Sequence, residues 1–287
     1  MERQKGKLKR FFIIPVFLGL AACAGNSENG RAIGLSHSVP VSSTAFLKSV
    51  DTIIKERDYS YVSLAVRKPE DKKLKSSPLP RTIEITTGSG FIIDKKGHVV
   101  TAGHVGVSRG WEVIATGPHG KIFRGHVVAL QRIGDMALIK LDTSELLTPV
   151  NPVKDPCLIP GASVLSLGKP GLRQDVARVG SLSKLRFGKP VRYSKYGYDE
   201  AMVLKLRTRR GESGGPVFGQ SGAFLGMIVS TLSSAAGAHL NLAHAIPTPE
   251  LGKFICKHTR CQPAWRKLAR KKLSACPMPL VVSALAN

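Results

Sequence analysis

Apolar positions fall into three regimes along the chain. Near the start, Phe11 to Ala22 is an unbroken apolar run. From Thr44 to Arg57, Phe46, Leu47, Val50, Ile53 and Ile54 recur at helical spacing, which predicts a short amphipathic helix. The third regime begins with the β-rich run Tyr59 to Val66 and continues as short β-branched stretches punctuated by Gly and Pro. These are Ile83 to Thr87, Gly90 to Ile93, Val99 to Thr101, Glu112 to Ala115, His126 to Leu130 and Met136 to Leu141. Thr148 to Pro160, with four prolines, separates them from a second set. That set comprises Ser163 to Leu167, Ala177 to Leu182, Met202 to Leu206, Pro216 to Phe218, Phe224 to Ser230 and His239 to Ile246. Many short strands with regular breaks predict an antiparallel barrel or sandwich, and two all-β halves account for the spacing better than one sheet. Asn26 to Val41 reads as a tether, and Arg67 to Arg81, with Pro69, Pro78 and Pro80, as a loop. Thr248 to Lys272 returns to a helical pattern.

The first apolar run is too short to span a bilayer comfortably, but it follows Arg3, Lys5, Lys7, Lys9 and Arg10 as the core of an export signal does. It ends Leu20-Ala-Ala-Cys23, which resembles a bacterial lipobox, with Cys23 lipidated and made the new N-terminus. Cleavage after Ala24 and an uncleaved anchor are the alternatives, and all three place the body outside the cytoplasm. Four further cysteines, Cys157, Cys256, Cys261 and Cys276, suit two disulfides in an exported chain, with three possible pairings. Cys256 and Cys261 lack a second close pair, so no metal is expected there.

Charge changes the picture next. The 287 residues carry 43 Lys+Arg against 19 Asp+Glu, a net charge of +24, which by itself suggests a nucleic acid or an anionic membrane as partner. Removing residues 1–22 takes away five basic residues and Glu2 and leaves +20, so the excess belongs to the body. Mean hydropathy is zero and only one long apolar run occurs, which excludes a multi-span α-helical membrane protein.

Candidate chemistry converges on Gly211-Glu-Ser-Gly-Gly-Pro216. Flanking glycines allow a tight turn that exposes the Ser213 hydroxyl, with successive N–H groups free to point at an oxyanion. Upstream stand Thr101-Ala-Gly-His-Val105, preceded by Gly88-Ser-Gly-Phe-Ile-Ile-Asp94, and Gly134-Asp-Met-Ala-Leu-Ile-Lys-Leu141. A Ser hydroxyl needs a base, and a neutral His needs a carboxylate to hold its tautomer, so Ser213, His104 and Asp135 are the side chains acyl transfer requires. Asp94 and Asp142 follow strands and read as turn residues, and His37, His98, His119, His126, His239, His244 and His258 read as surface or packing residues.

With its chain order His, Asp, Ser, the sequence resembles the chymotrypsin-fold serine proteases, and within them the bacterial HtrA/Deg group. Gly168-Lys-Pro-Gly171, Val179-Gly-Ser-Leu182, Gly226-Met-Ile-Val-Ser230 and Leu242-Ala-His-Ala-Ile-Pro247 extend the likeness. The resemblance implies an all-β fold of two antiparallel barrels, over 59–150 and 156–248, within a protease domain of 46–252. Around it lie the signal 1–22, the tether 23–45 and a basic, Cys-containing tail 253–287. It implies Ser213 as nucleophile, His104 as base, Asp135 as orienting carboxylate, and the N–H groups of Gly211 and Ser213 as oxyanion hole. Two departures stand out. Glu212 occupies a position where relatives usually carry Asn or Asp, its side chain expected to point away. Too few residues follow Glu250 to form the family's usual PDZ domain.

Arg207 and Ser230 are the expected specificity-pocket residues; with Arg209 and Arg210 nearby, small apolar or acidic side chains are the expected fit rather than Lys or Arg. Lys253 to Lys272 holds eight basic residues and no acid: either a solvated helix face with Trp265 and Leu268 packed on the barrel, or a contact for anionic lipid. The expected partners are protein or peptide substrates and a membrane, reached through lipidated Cys23 and the basic tail. Neither nucleic acid nor a cofactor is expected. Family trimers use an N-terminal segment, for which Phe46 to Ile54 is the candidate, but an oligomer is not readable from sequence. The function expected is that of an envelope serine endopeptidase, with a silent protease-fold binding protein as the alternative.

Overall fold

The computed structural model describes residues 34–37, 44–69, 85–155, 157–170, 175–234 and 236–276, with 34–37, 44 and 45 described by their backbone alone. The export signal with Cys23, most of the Arg67 to Arg81 loop and the apolar end of the tail lie outside these residues.

In chain order the elements are β1 (Gly34–His37), α1 (Thr44–Arg57), β2 (Tyr61–Arg67), β3 (Ile85–Ile92) and β4 (His98–Ala102). Then come the single helical turn α2 (Gly103–Gly106), β5 (Glu112–Thr116), β6 (Ile122–Gln131) and β7 (Met136–Leu141). The second half holds β8 (Cys157–Leu158), β9 (Ser163–Gly168), β10 (Val176–Lys184), β11 (Val191–Tyr193), β12 (Tyr196–Tyr198) and β13 (Met202–Lys205). It ends with β14 (Pro216–Gly219), β15 (Phe224–Ser233), β16 (His239–Pro247), α3 (Thr248–His258), α4 (Pro263–Ala269) and β17 (Ser274–Ala275).

Strands β2-β3-β4-β7-β6-β5 close a six-stranded antiparallel barrel, β5 pairing back onto β2. A second ring runs β9-β10-β13-β16-β15-β14 and returns to β9 through Val217 opposite Ser166. Closure leaves neither barrel a free sheet edge. Barrel positions alternate as a pleated sheet demands: in β6, Phe123, Gly125 and Val127 are buried while Ile122, Arg124 and His126 face out. One strand was not expected. Within the stretch read as a tether, β1 pairs in parallel with Val176 to Val179 of β10.

Helix α1 spans the residues its periodicity predicts and buries Phe46, Val50, Ile53 and Ile54 in the chain's own core; Leu47 is 38% exposed. The helical pattern of Thr248 to Lys272 is broken at 259–262, where Pro263 begins α4 and the Cys256–Cys261 disulfide closes the connection. A second disulfide, Cys157–Cys276, fastens β8 to the chain beyond β17. Trp265 and Leu268 are buried, Trp265 edge-on to Phe224, whose ring also contacts Phe91 of the first barrel. The basic residues of α3 and α4 are therefore the solvent side of a docked layer. Among the described residues no helix is long and apolar enough to cross a membrane.

Candidate active site

Strand β4 ends at Ala102 and turns into α2, which presents His104; the turn before β7 presents Asp135. Asp135 is fully buried and sits at φ 48°, a left-handed conformation that Asp tolerates better than most residues but that must be held by its surroundings. The hold is visible. The Asp135 N–H donates to the Arg132 carbonyl at 3.2 Å, and Gly134 N–H to the Gly197 carbonyl at 2.7 Å. The His104 ring nitrogen Nδ1 lies 2.9 Å from Asp135 Oδ2, and the His104 backbone N–H donates to Oδ1 at 2.9 Å. Two bonds to one carboxylate fix both the position of the imidazole and its tautomer, with Nε2 as the free acceptor.

The segment 211–215 comes from the other barrel and docks on β3. Ser89, wholly buried in β3, donates its N–H to the Ser213 carbonyl at 2.8 Å and its Oγ–H to the Gly211 carbonyl at 2.9 Å. Its own Oγ accepts the Lys169 N–H at 3.0 Å, and its carbonyl accepts the Thr101 hydroxyl at 2.7 Å. Two glycines make the approach possible. A methyl at Gly88 would lie 2.6 Å from Val105 Cγ1 and 3.1 Å from the Ser213 carbonyl. At Gly214, with φ +85°, it would lie 2.0 Å from the Ser89 carbonyl and 3.1 Å from the Ala102 nitrogen. The Ser213 loop thus meets the strand end that delivers His104. With the Gly211 and Ser213 carbonyls held by Ser89, the two N–H groups of these residues donate to no other described residue. Ser213 Oγ and His104 Nε2 make no mutual hydrogen bond among the described residues; such bonds in unliganded sites tighten when substrate arrives.

Glu212 points away from this face, as expected, and its destination is specific. It is 3% exposed and meets Arg178 of β10 through three bonds, Nη2 to Oε1 at 2.6 Å and Nε to the two oxygens at 3.1 and 3.2 Å. A second buried pair lies one residue past β9. Lys169 Nζ stands 2.7 Å from Asp175 and 3.2 Å from Asp58, over the Tyr61 ring.

Sequence reasoning missed Tyr193. The hairpin β11–β12 lies against the Asp135 turn, and the Tyr193 hydroxyl donates to Asp135 Oδ2 and stands 3.3 Å from His104 Nδ1. Burial, and then the Asp135 charge, push the Tyr193 phenol well above its ordinary value. Tyr196 donates to the Val107 carbonyl just after α2. Tyr198 bridges Ser230 Oγ and His244 Nδ1, each at 2.7 Å, its phenol raised to about 12 mainly by burial. The one local cue was three tyrosines within six residues beside charged neighbours. Of the expected pocket residues, Arg207 is exposed, and Ser230 has its hydroxyl engaged by Tyr198.

Residues 88–227 match the trypsin-like peptidase domain. Over 210 residues the chain is 27% identical to Serine protease HTRA1B of Danio rerio, covering 72% of this chain and 42% of that protein. It is 30% identical over 182 residues to a probable periplasmic serine endoprotease DegP-like of Bartonella henselae, covering 63% and 34%. Identity is also 30% over 175 residues of the putative serine protease HhoB of Synechocystis, covering 59% and 39%. The chain spans less than half the length of these relatives. Two closed six-stranded barrels, a His–Asp pair and a docked Gly-Glu-Ser-Gly-Gly loop at their junction, and these matches together give the chain a chymotrypsin-like fold with a trypsin-like peptidase domain over residues 88–227, similar to the HtrA/DegP proteins.

Proposed function

We propose that the protein is a serine endopeptidase working through an acyl-enzyme. The observation that carries this reading is the convergence, on strands β3 and β4, of the His104–Asp135 pair with the Ser213 loop, whose Gly211 and Ser213 N–H groups are undonated. His104 Nε2 takes the Ser213 Oγ proton as Oγ bonds to the scissile carbonyl carbon, and the carbonyl oxygen becomes an oxyanion held by those two N–H groups. Each such donor is worth roughly 3 kcal/mol of transition-state stabilisation. The C–N bond breaks with the proton passing from His104 to the leaving amine, and water then repeats the sequence on the acyl ester. No cofactor enters these steps.

Labelling with a fluorophosphonate probe, with casein digestion to separate a peptidase from an esterase, tests the proposal. Wild-type protein labels and digests; Ser213→Ala does neither, with kcat lowered about 10⁶-fold. Absence of wild-type labelling would instead support the second reading, a silent protease-fold binder, which the exposed basic helices and the unpaired Ser213 hydroxyl favour.

An envelope location follows from the same proposal. Export rests on the basic-then-apolar N-terminus, two disulfides suited to an oxidising compartment, and a relative whose name places it in the periplasm. Lipidation at Cys23 is tested by metabolic palmitate labelling against Cys23→Ala. The exposed cations of α3 and α4 add attraction to an anionic membrane, roughly 1 kcal/mol each near the surface. The substrates we propose are proteins or peptides cut after small apolar or acidic residues, because the family likeness assigns Arg207 to the specificity pocket and the exposed Arg209 and Arg210 add positive charge to the same run ahead of Ser213. A peptide library cut mainly after Lys or Arg contradicts this.

A further inference from the structure

We propose that the hollow between β6 and the end of α3, bounded by Arg109, Arg132, Lys257 and His258, is a binding site for a phosphoryl anion. It has a volume of about 620 Å³, within the range of small-ligand sites, and its remaining walls are Ser108 and Val128 to Leu130. Four side chains that are cationic, or become so on protonation, converge here from three parts of the fold, and no carboxylate lines the hollow. None of the four makes a hydrogen bond or ion pair with another described side chain.

The rest of the described chain has no acid to spare for them. Apart from Asp51, which is exposed on α1, every described carboxylate lies within 4.0 Å of some other cation or histidine. Lys257 and His258 alone would be what the negative end of a helix attracts. Arg109 follows α2 and Arg132 precedes the Asp135 turn, so the helix end accounts for neither. Burial and the charges of Lys257 and Arg109 together hold His258 below its ordinary pKa, as expected of a positive field that no acid balances. Two guanidinium forks match the paired oxygens of a phosphoryl group, with Lys257 as a point charge beside them. The hollow is larger than one inorganic phosphate, which fits a phosphoryl group carried on a larger body. The Arg132 carbonyl accepts the N–H of Asp135 at 3.2 Å and of Gly197 at 3.0 Å, so the ligand would lie against the turn that presents the triad carboxylate.

Calorimetric titration of the full chain with pyrophosphate, at constant ionic strength, tests the site independently of any peptidase activity. The expected result is saturable one-site binding, weakened about tenfold or more by Arg109→Gln and by Lys257→Gln, the loss of one charge-assisted contact each. Lys267→Gln/Arg270→Gln, on and just after α4, removes two surface charges, twice as many as either test variant, away from the hollow and leaves binding unchanged. Urea midpoints equal to wild type show that the exposed substitutions leave the fold intact. Non-saturable binding, or equal weakening by the α4 pair, overturns the proposal, as does tighter binding of an oligoglutamate peptide than of pyrophosphate. Co-sedimentation with phosphatidylglycerol and phosphatidylcholine vesicles separates the sources. Release from the anionic vesicles by pyrophosphate assigns a lipid head group, and indifference to it assigns a free phosphoryl ligand.

Discussion

Glu212→Gln removes one buried charge next to Ser213, the proposed nucleophile, while keeping the side chain's shape. In the native protein the carboxylate and the Arg178 guanidinium, both nearly excluded from water, share three bonds of 2.6 to 3.2 Å. At about 3 Å and an effective dielectric constant near 20, two unit charges attract by roughly 5 kcal/mol before desolvation is counted. Breaking such a buried pair from one side leaves the partner uncompensated and costs about 3–5 kcal/mol; Gln keeps one acceptor, so about 3 kcal/mol is expected in urea unfolding. Arg178→Met costs a similar amount by stranding the carboxylate. The double substitution costs less than the sum, with a coupling of about 2 kcal/mol. Glu212→Asn, too short to reach Arg178, is at least as damaging as Gln. Because the Glu212 backbone lies between the Gly211 and Ser213 N–H groups, which we propose as the oxyanion donors, and its carbonyl accepts the Gly215 N–H at 3.0 Å, loosening it displaces those groups. Losing one donor outright costs about 10²–10³ in kcat, so a partial displacement lowers kcat about tenfold with KM little changed. A Glu212→Gln protein within 0.5 kcal/mol of wild type and with full kcat would refute the idea that this pair holds the loop.

Tyr193→Phe keeps the ring packing but removes the hydroxyl bonded to Asp135; kcat/KM is expected to fall about tenfold, with urea stability changed far less. Tyr59→Phe, whose hydroxyl meets His119 at the surface, is the matched control, and equal activity of the two variants counts against a positioning role. His244 is buried, with its pKa lowered from 6.5 to about 4, so the unfolded chain binds a proton in an interval where the folded chain does not. Stability present above pH 6.5 is therefore lost as pH falls toward 4, and His244→Asn flattens that part of the urea-midpoint profile; an unchanged profile contradicts it. Loop-closure entropy gives about 5 kcal/mol for the Cys157–Cys276 link, across 119 residues, and about 2 kcal/mol for Cys256–Cys261, across 5. Replacing both cysteines of the long link by Ser should thus cost more in urea stability, and the reverse order would show that strain or residual structure dominates.

Much of this architecture was legible because its signals are local. The spacing of Phe46, Val50, Ile53 and Ile54 specifies α1, and the Gly and Pro breaks fall near most strand ends. Ile83 to Thr87 and Gly90 to Ile93 read as separate strands because Gly88-Ser-Gly looks like a turn. In the fold it is the middle of β3, and Gly88 is the gap through which Val105 and the Ser213 carbonyl come close. The hairpin β11–β12 was invisible for a related reason. Val191 to Tyr198 is rich in Lys, Arg and Tyr, without a clean apolar alternation, and its pairing depends on docking against the Asp135 turn. His104, Asp135 and Ser213 each stand in a motif that announces its chemistry. Tyr193, Ser89 and Arg178 gain their roles only from which strands meet, and the disulfide pairing likewise waits on the path of the tail.

The scarcity of acids gives the +24 charge a structural meaning. Asp135, Glu212 and Asp175 are buried, each against a cation or histidine close to the Ser213 loop or to the His104 turn, with Asp58 beside the same lysine as Asp175. Ser89 joins these pairs: its hydroxyl accepts the Lys169 N–H on one side and donates to Gly211, next to Glu212, on the other. Charge is matched inside, where a low dielectric makes an orphan expensive, and left unmatched outside, where water and salt screen it. Removing an exposed cation should therefore change what the surface binds and leave the proposed reaction intact, whereas neutralising a buried carboxylate strands a cation beside the Ser213 loop or the His104 turn. The excess positive charge is what remains once nearly every described acid has been used.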